Sequence, residues 1–157
     1  MTGTLFERIL ESIDGKQPQD FFLENVKRLV TMENGYHFRV ILNYLSELDY
    51  WIEWRIINPI SFGIPQNRHR IFICGTKLNY TNINYHLLEN TSVSLGKEDW
   101  TDLYDIETFI KYMLPISASK GKNCNWGITY KNKMLNRNLS FLPYIKPRKL
   151  LKDILED

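Results

Sequence analysis

Apolar side chains follow a helical spacing in two segments of the chain, residues 5–13 and residues 38–48. Short apolar segments predict strands at residues 20–23, 51–57 and 70–74. Strands that alternate with helices are typical of an α/β fold whose sheet contains parallel members. No helical pattern separates the last two strands, so we expect them to form an antiparallel pair at the edge of the sheet.

The chain changes character near residue 78. A polar, asparagine-rich segment follows, and then apolar residues at helical spacing predict a helix over residues 103–114. We divide the chain into three parts: an α/β domain over 1–78, an acidic linker and helix over 79–107, and a basic region over 108–157.

Composition excludes several classes of protein. The 157 residues are 43% hydrophobic and 24% charged, which suits a globular domain rather than a disordered chain. The sequence contains no apolar segment of about 18 residues and no secretory signal, so we expect a cytoplasmic protein with no membrane partner. Its two cysteines and three histidines lack metal-ligand spacing, and we expect no metal.

The net charge of +2 conceals an uneven distribution. Residues 108–152 carry ten basic side chains and no acidic one, whereas residues 79–107 are net acidic. Aromatic residues are interleaved with these bases. Such a segment favours a polyanionic partner, because cations neutralise phosphates and aromatic rings stack on bases. A solvated surface around a small aromatic core is the alternative.

Glu24 and Asn25 stand at the carboxyl end of the first predicted strand, where ligands gather in open α/β sheets. A carboxyl group there can donate or share a proton with a bound base. Alternatively, Glu24 begins a surface loop.

Gln66, Arg68 and Arg70 alternate in an extended segment and are therefore expected on one face. Two guanidinium groups and an amide make an array of donors that suits a phosphate, a carboxylate or a nucleobase carbonyl. Charges that protect an edge strand from aggregation are the competing interpretation.

Both clusters resemble motifs of one enzyme family. The segment that contains Glu24-Asn25-Val26 resembles the Glu-Asn-Val motif of DNA cytosine-5 methyltransferases, and residues 63–72 resemble the family's Gln-x-Arg-x-Arg motif. The resemblance covers residues 2–76. It implies the C-terminal half of a Rossmann-like, S-adenosylmethionine-dependent methyltransferase sheet, followed by a partial target-recognition region over 108–157.

The resemblance also implies a reaction on duplex DNA. Family members flip a cytosine into a pocket, a cysteine thiolate attacks its C6, and C5 takes a methyl group from S-adenosylmethionine. Glu24 would bind N3 of the base, and Arg68 and Arg70 would orient it. Asn25 and Gln66 would support the site. The candidate DNA-contacting residues are Lys120, Lys122, Lys131, Lys133 and Arg137.

Two family motifs are missing from these 157 residues: the Pro-Cys motif that carries the nucleophile, and the glycine-rich Phe-x-Gly-x-Gly cofactor loop. We expect Cys74 to be a buried, inert thiol and the cofactor pocket to lie mostly outside this chain. The chain alone should transfer no methyl group. It is then either one subunit of a split enzyme, with a second polypeptide that supplies both motifs, or a truncated remnant. A non-catalytic DNA-binding or regulatory protein and a tRNA-methylating relative are the other readings.

Overall fold

The computed structural model describes residues 5–77, 100–106 and 125–137. These residues contain two helices, α1 (Leu5–Lys16) and α2 (Tyr36–Glu47). They also contain six strands: β1 (Asp20–Val26), β2 (Tyr50–Ile57), β3 (Arg70–Lys77), β4 (Thr101–Asp102), β5 (Trp126–Tyr130) and β6 (Lys133–Arg137). Neither helix in the described part of the chain is long and apolar enough to cross a membrane.

The strands form one sheet in the order β1-β3-β2-β5-β6-β4. Every pairing in it is antiparallel. The predicted antiparallel pairing of β2 with β3 is therefore confirmed, but the placement of that pair at the edge is wrong. β3 lies between β1 and β2, so these two strands run parallel to each other without being neighbours.

Connection lengths explain this arrangement. The segment between β1 and β2 contains α2, and a helical crossover of that kind joins strands that run in the same direction. The segment from β2 to β3 has no α-helix, so β3 turns back beside β2 and also pairs with β1 along seven positions, Asp20 to Val26. A strand bonded on both sides is interior, which is why the edge placement fails.

Both helical predictions near the N-terminus are confirmed. The face of α2 that carries Phe38, Ile41, Leu42 and Leu45 is buried in the core. Phe38 meets the ring of the fully buried Trp54 edge to face, at 5.4 Å between centroids. Edge-to-face packing of this kind adds to the apolar burial that joins helix and sheet.

The other face of β1 and β3 remains accessible. Phe22 is 65% exposed, and its ring lies 5.4 Å from that of Phe72. Cys74 is a free, exposed cysteine on the same face, so the expectation of a buried thiol is wrong. Alternation along β3 turns Cys74 away from the helices. Partial burial, and secondarily the Glu53 carboxylate, raise the pKa of the Cys74 thiol, which makes it a weaker nucleophile.

The sheet continues past the boundary that we placed near residue 78. β5 pairs with β2, and β6 pairs with β5 and β4. The division of the chain into three domains stays a prediction. Of the helix predicted over 103–114, Leu103 lies buried just after β4, and the residues from 107 onward fall outside the described ones.

Candidate active site

An ion pair joins the two motifs. Nε of Arg70 donates to Oε1 of Glu24 at 2.9 Å, across 46 positions of the sequence. Nη1 of Arg70 also donates to the carbonyl of His69, at 3.1 Å. The Glu24 side chain is 53% exposed and that of Arg70 is 18% exposed. The carboxylate is thus held in place while one side of it stays open to a ligand.

The register of β1 and β3 produces this contact. Glu24 lies opposite Phe72, and Val26 lies opposite Arg70. Glu24 and Arg70 are therefore diagonal neighbours on one face, within reach of long side chains. β1 continues to Val26, so Glu24 belongs to the strand and does not follow it as the sequence suggested. The pair stands beside the exposed Phe22 ring and the half-buried Phe72 ring.

Asn25 points to the opposite face from Glu24, because successive strand residues alternate. Its Oδ1 accepts a hydrogen bond from the backbone N–H of Val26 at 2.8 Å. The structure therefore separates Asn25 from the ion pair. A role for Asn25 in substrate binding stays a prediction.

Gln66 and Arg68 occupy an irregular segment ahead of β3 and are exposed. Within the residues that the structure describes, no hydrogen bond or ion pair joins either side chain to Glu24. Residues 66–69 are not part of a strand. The regular alternation that was expected to place Gln66, Arg68 and Arg70 on one face therefore does not apply to them. The roles assigned to Gln66 and Arg68 remain predictions.

Sequence reasoning missed Asn58, which contacts this irregular segment. Its Oδ1 accepts from the backbone N–H of Arg68 at 3.2 Å, and its Nδ2 donates to Oδ1 of Asn67 at 2.9 Å. Nδ2 also lies 3.5 Å from Nε2 of His69. Partial desolvation of the ring, and secondarily the charge of Lys27, lower the pKa of His69, although the residue is exposed. An asparagine before a proline at the end of a strand was the available signal, but it indicates only a turn.

A cavity of about 270 Å³ lies on the same open face as the ion pair. Its lining is Phe22, Glu53, Trp54, Arg55, Ile57, Phe72 and Cys74. Glu53 is the acidic residue of this lining. Its Oε1 already accepts hydrogen bonds from Nε1 of Trp126 at 2.6 Å and from Nε of Arg55 at 3.1 Å. The other lining side chains are mostly apolar. This set does not fit S-adenosylmethionine, whose amino acid and ribose groups need several free polar partners.

Part of the predicted DNA-contacting set lies in the β5–β6 hairpin. Lys131 and Asn132 form its two-residue turn, both with positive φ, and Lys131 and Lys133 are exposed. Nζ of Lys131 stands 5.4 Å from the centre of the Tyr130 ring. Arg137 ends β6, whereas Lys120 and Lys122 fall outside the described residues. Contact of these residues with DNA stays a prediction.

Residues 1–142 match the family described as C-5 cytosine-specific DNA methylase. The chain belongs to that family. Among individual relatives, type II methyltransferase M.NgoBI of Neisseria gonorrhoeae is 48% identical over 73 residues, which are 46% of this chain and 23% of the relative. M.SsoII of Shigella sonnei is 31% identical over 150 residues, or 88% of this chain and 39% of the relative.

The match to M.BanI of Aneurinibacillus aneurinilyticus covers 66% of this chain and 26% of the relative, at 35% identity. The chain thus spans well under half the length of each of these type II methyltransferases. Membership of the family accounts for the Glu-Asn-Val and Gln-x-Arg-x-Arg motifs, which the fold joins through Glu24 and Arg70.

Proposed function

We propose that this chain forms part of a DNA cytosine-5 methyltransferase of a restriction-modification system, and that Glu24 and Arg70 bind the flipped cytosine. The 2.9 Å pair between them is the observation that carries the proposal. It brings together one residue from each family motif on an open face of the sheet. A half-exposed carboxyl group beside a guanidinium matches the edge of a cytosine when one proton lies between the carboxyl group and the ring nitrogen, while the guanidinium donates to the neighbouring carbonyl oxygen.

Glu24 would hold a proton or hydrogen bond at cytosine N3, which withdraws electrons from the ring and favours nucleophilic attack at C6. Arg70 uses Nε for Glu24 and one Nη1 proton for the His69 carbonyl. A guanidinium has five N–H groups, so Arg70 keeps donors for the base carbonyl. The same residue can thus orient both the carboxylate and the substrate.

The methyl donor and the nucleophile must come from elsewhere. S-adenosylmethionine supplies the methyl group in this family, and the described residues around the ion pair do not fit it. The Pro-Cys motif is absent from the 157 residues. We therefore propose that residues outside these 157, on a second polypeptide if the enzyme is split, supply the cofactor loop and the cysteine, and that duplex DNA is the substrate.

Changing Glu24 to Gln tests this proposal in the full chain mixed with a polypeptide that carries the Pro-Cys motif and glycine-rich loop of a related type II methyltransferase. We expect methyl transfer to duplex DNA to fall by about 100-fold, because general acid–base catalysis contributes roughly 10² to 10⁴. DNA affinity, measured by fluorescence anisotropy, should stay within about twofold. The free energy of unfolding should change by about 1 kcal/mol, because the Glu24 end of the pair is half exposed to water.

Glu11→Gln is the matched control, since Glu11 is an exposed carboxylate on α1, on the other face of the sheet. It should leave methyl transfer unchanged. Full activity of the Glu24→Gln mixture would contradict the proposed role of Glu24. DNA binding without methyl transfer in any mixture with the parent chain would instead favour a non-catalytic DNA-binding protein, and preference for tRNA over duplex DNA would favour the tRNA-methylating branch.

A further inference from the structure

We infer that Asn58 is a positioning residue for methyl transfer, because its side chain fixes the segment that delivers Arg68 and Arg70 to the site. The inference rests on the proposed function. Asn58 follows directly after β2, whereas the residues it contacts come directly before β3. It therefore joins the two ends of the segment that connects β2 to β3.

The geometry of the amide favours a specific tie. Oδ1 faces the backbone N–H of Arg68 at 3.2 Å, and Nδ2 faces Oδ1 of Asn67 at 2.9 Å. Exchanging the two amide atoms would set a donor against the Arg68 N–H and an acceptor against an acceptor, so the orientation follows from the partners. One planar group thereby bonds both the backbone N–H of Arg68, ten residues further along the chain, and the side-chain oxygen of Asn67, nine residues further along.

A local turn role does not account for these contacts. Asn58 also caps the short turn Pro59–Ser61, where its Oδ1 lies 3.5 Å from the backbone N–H of Ile60. That contact is long for a hydrogen bond. The contacts with Asn67 and Arg68 are shorter, and a cap has no need of them. The side chain is therefore placed for the distant segment at least as well as for its own turn.

The tie lies next to the ion pair. Arg70, the first residue of β3, stands between Val26 of β1 and Ile57 of β2, and Asn58 follows Ile57. Gln66, Asn67, Arg68 and His69 are all exposed. Loss of the Asn58 contacts would let the segment before Arg70 move. It would remove no group that touches the base. Small misplacements of this kind reduce turnover strongly, since catalysis depends on preset orientation.

Three substitutions separate the tie from the cap. Asn58→Asp keeps an oxygen for both backbone N–H groups and loses the contacts of Nδ2 with Asn67 and His69. Asn58→Ser keeps a good cap, but its hydroxyl is too short to reach Arg68. Asn58→Ala loses everything. We expect methyl transfer to decline in the order parent, Asp, then Ser and Ala together.

The assay uses the full chain mixed with the complementary polypeptide of a related methyltransferase. For Asn58→Ser and Asn58→Ala we expect kcat to fall by roughly 10- to 100-fold, with KM for duplex DNA within about twofold, which is the pattern of an effect felt in the transition state. In the full chain alone, hydrogen exchange at the Arg68 amide should speed up in the Ser and Ala variants. The Asp variant should restore both readouts in part.

Asn43→Ala is the matched control. Asn43 is a partly buried asparagine of α2 whose Nδ2 donates to Glu47 at 3.0 Å, away from the irregular segment. It should leave kcat and the exchange of Arg68 unchanged. Parent-like kcat in Asn58→Ser, or unchanged Arg68 exchange in Asn58→Ala, would overturn the inference. Absence of methyl transfer from every mixture with the parent chain would remove the proposed function and the positioning role with it, whatever the exchange result.

Discussion

At the scale of single residues, the Glu24–Arg70 pair matters for chemistry more than for stability. Its carboxylate is half exposed, and exposed ion pairs typically contribute about 0–1 kcal/mol. Glu24 and Arg70 could be selected from the sequence because both lie in motifs. Asn58 could not, since its importance comes from contacts with Asn67 and Arg68 that only the folded loop creates.

His69 provides a pH-dependent prediction. Partial desolvation and then the Lys27 charge lower its pKa from the ordinary 6.5, so the folded chain binds this proton less readily than the unfolded chain does. The contribution of neutral His69 to stability is complete above pH 6.5 and is lost as the pH falls through the lowered pKa. In urea titrations from pH 8 to pH 5, we therefore expect His69→Gln to gain stability relative to the parent as the pH falls.

Lys27→Gln is the companion variant. It should raise the pKa of His69 part of the way toward 6.5, as followed by NMR of the imidazole, and leave the effect of desolvation in place. A stability difference between His69→Gln and the parent that stays constant across this pH range would contradict the assignment.

At the scale of elements, Gly75 shows how one position holds β1 against β3. A Cβ at Gly75 would lie 2.2 Å from the ring of Phe21, its partner across the two strands. We expect Gly75→Ala to lower the free energy of unfolding by about 1–3 kcal/mol, the usual cost of overpacking. Gly15→Ala is the control in α1, where a Cβ meets no atom within 4 Å, and it should stabilise the chain by about 0.5–1 kcal/mol. Equal effects in chemical denaturation would refute this packing.

The β5–β6 hairpin carries the DNA prediction. Changing Lys131 and Lys133 together to Gln should weaken binding to duplexes of different sequence about equally, because lysines contact phosphates rather than bases. If each lysine neutralises one phosphate, the slope of log affinity against log salt should fall by about 1.8. Salt titrations by anisotropy measure it. An unchanged slope would place the hairpin away from the DNA.

The periodicity of the sequence located α1, α2 and three strands, because both helices bury one face and the strands are apolar. The predicted strand over 70–74 ends before the observed β3 (Arg70–Lys77) does. Gly75 is a usual stop signal, but here the Phe21 ring occupies the space of the missing side chain. The order of the strands could not be read from local pattern either, since it depends on which backbones pair at long range.

At the scale of the whole molecule, the chain belongs to a methyltransferase family but spans only part of the length of its relatives. The chain covers 39% of M.SsoII and 23% of M.NgoBI. We expect the purified chain, given duplex DNA and labelled S-adenosylmethionine, to transfer no methyl group above background. Methyl transfer should appear when the polypeptide that carries the Pro-Cys motif and the glycine-rich loop is added to the chain. Robust transfer by the chain alone would show that one of its two thiols can replace the Pro-Cys cysteine.

The interior position of β3 has a consequence for synthesis on the ribosome. β1 and β2 are made first, yet neither bonds to the other, and the strand that lies between them is the last of the three to emerge. The apolar strands of this half of the sheet therefore stay unpaired until residues 70–77 leave the exit tunnel. Unpaired strands are prone to aggregate, so a translational pause before residue 70 should be harmful, whereas a pause after residue 77 should be tolerated.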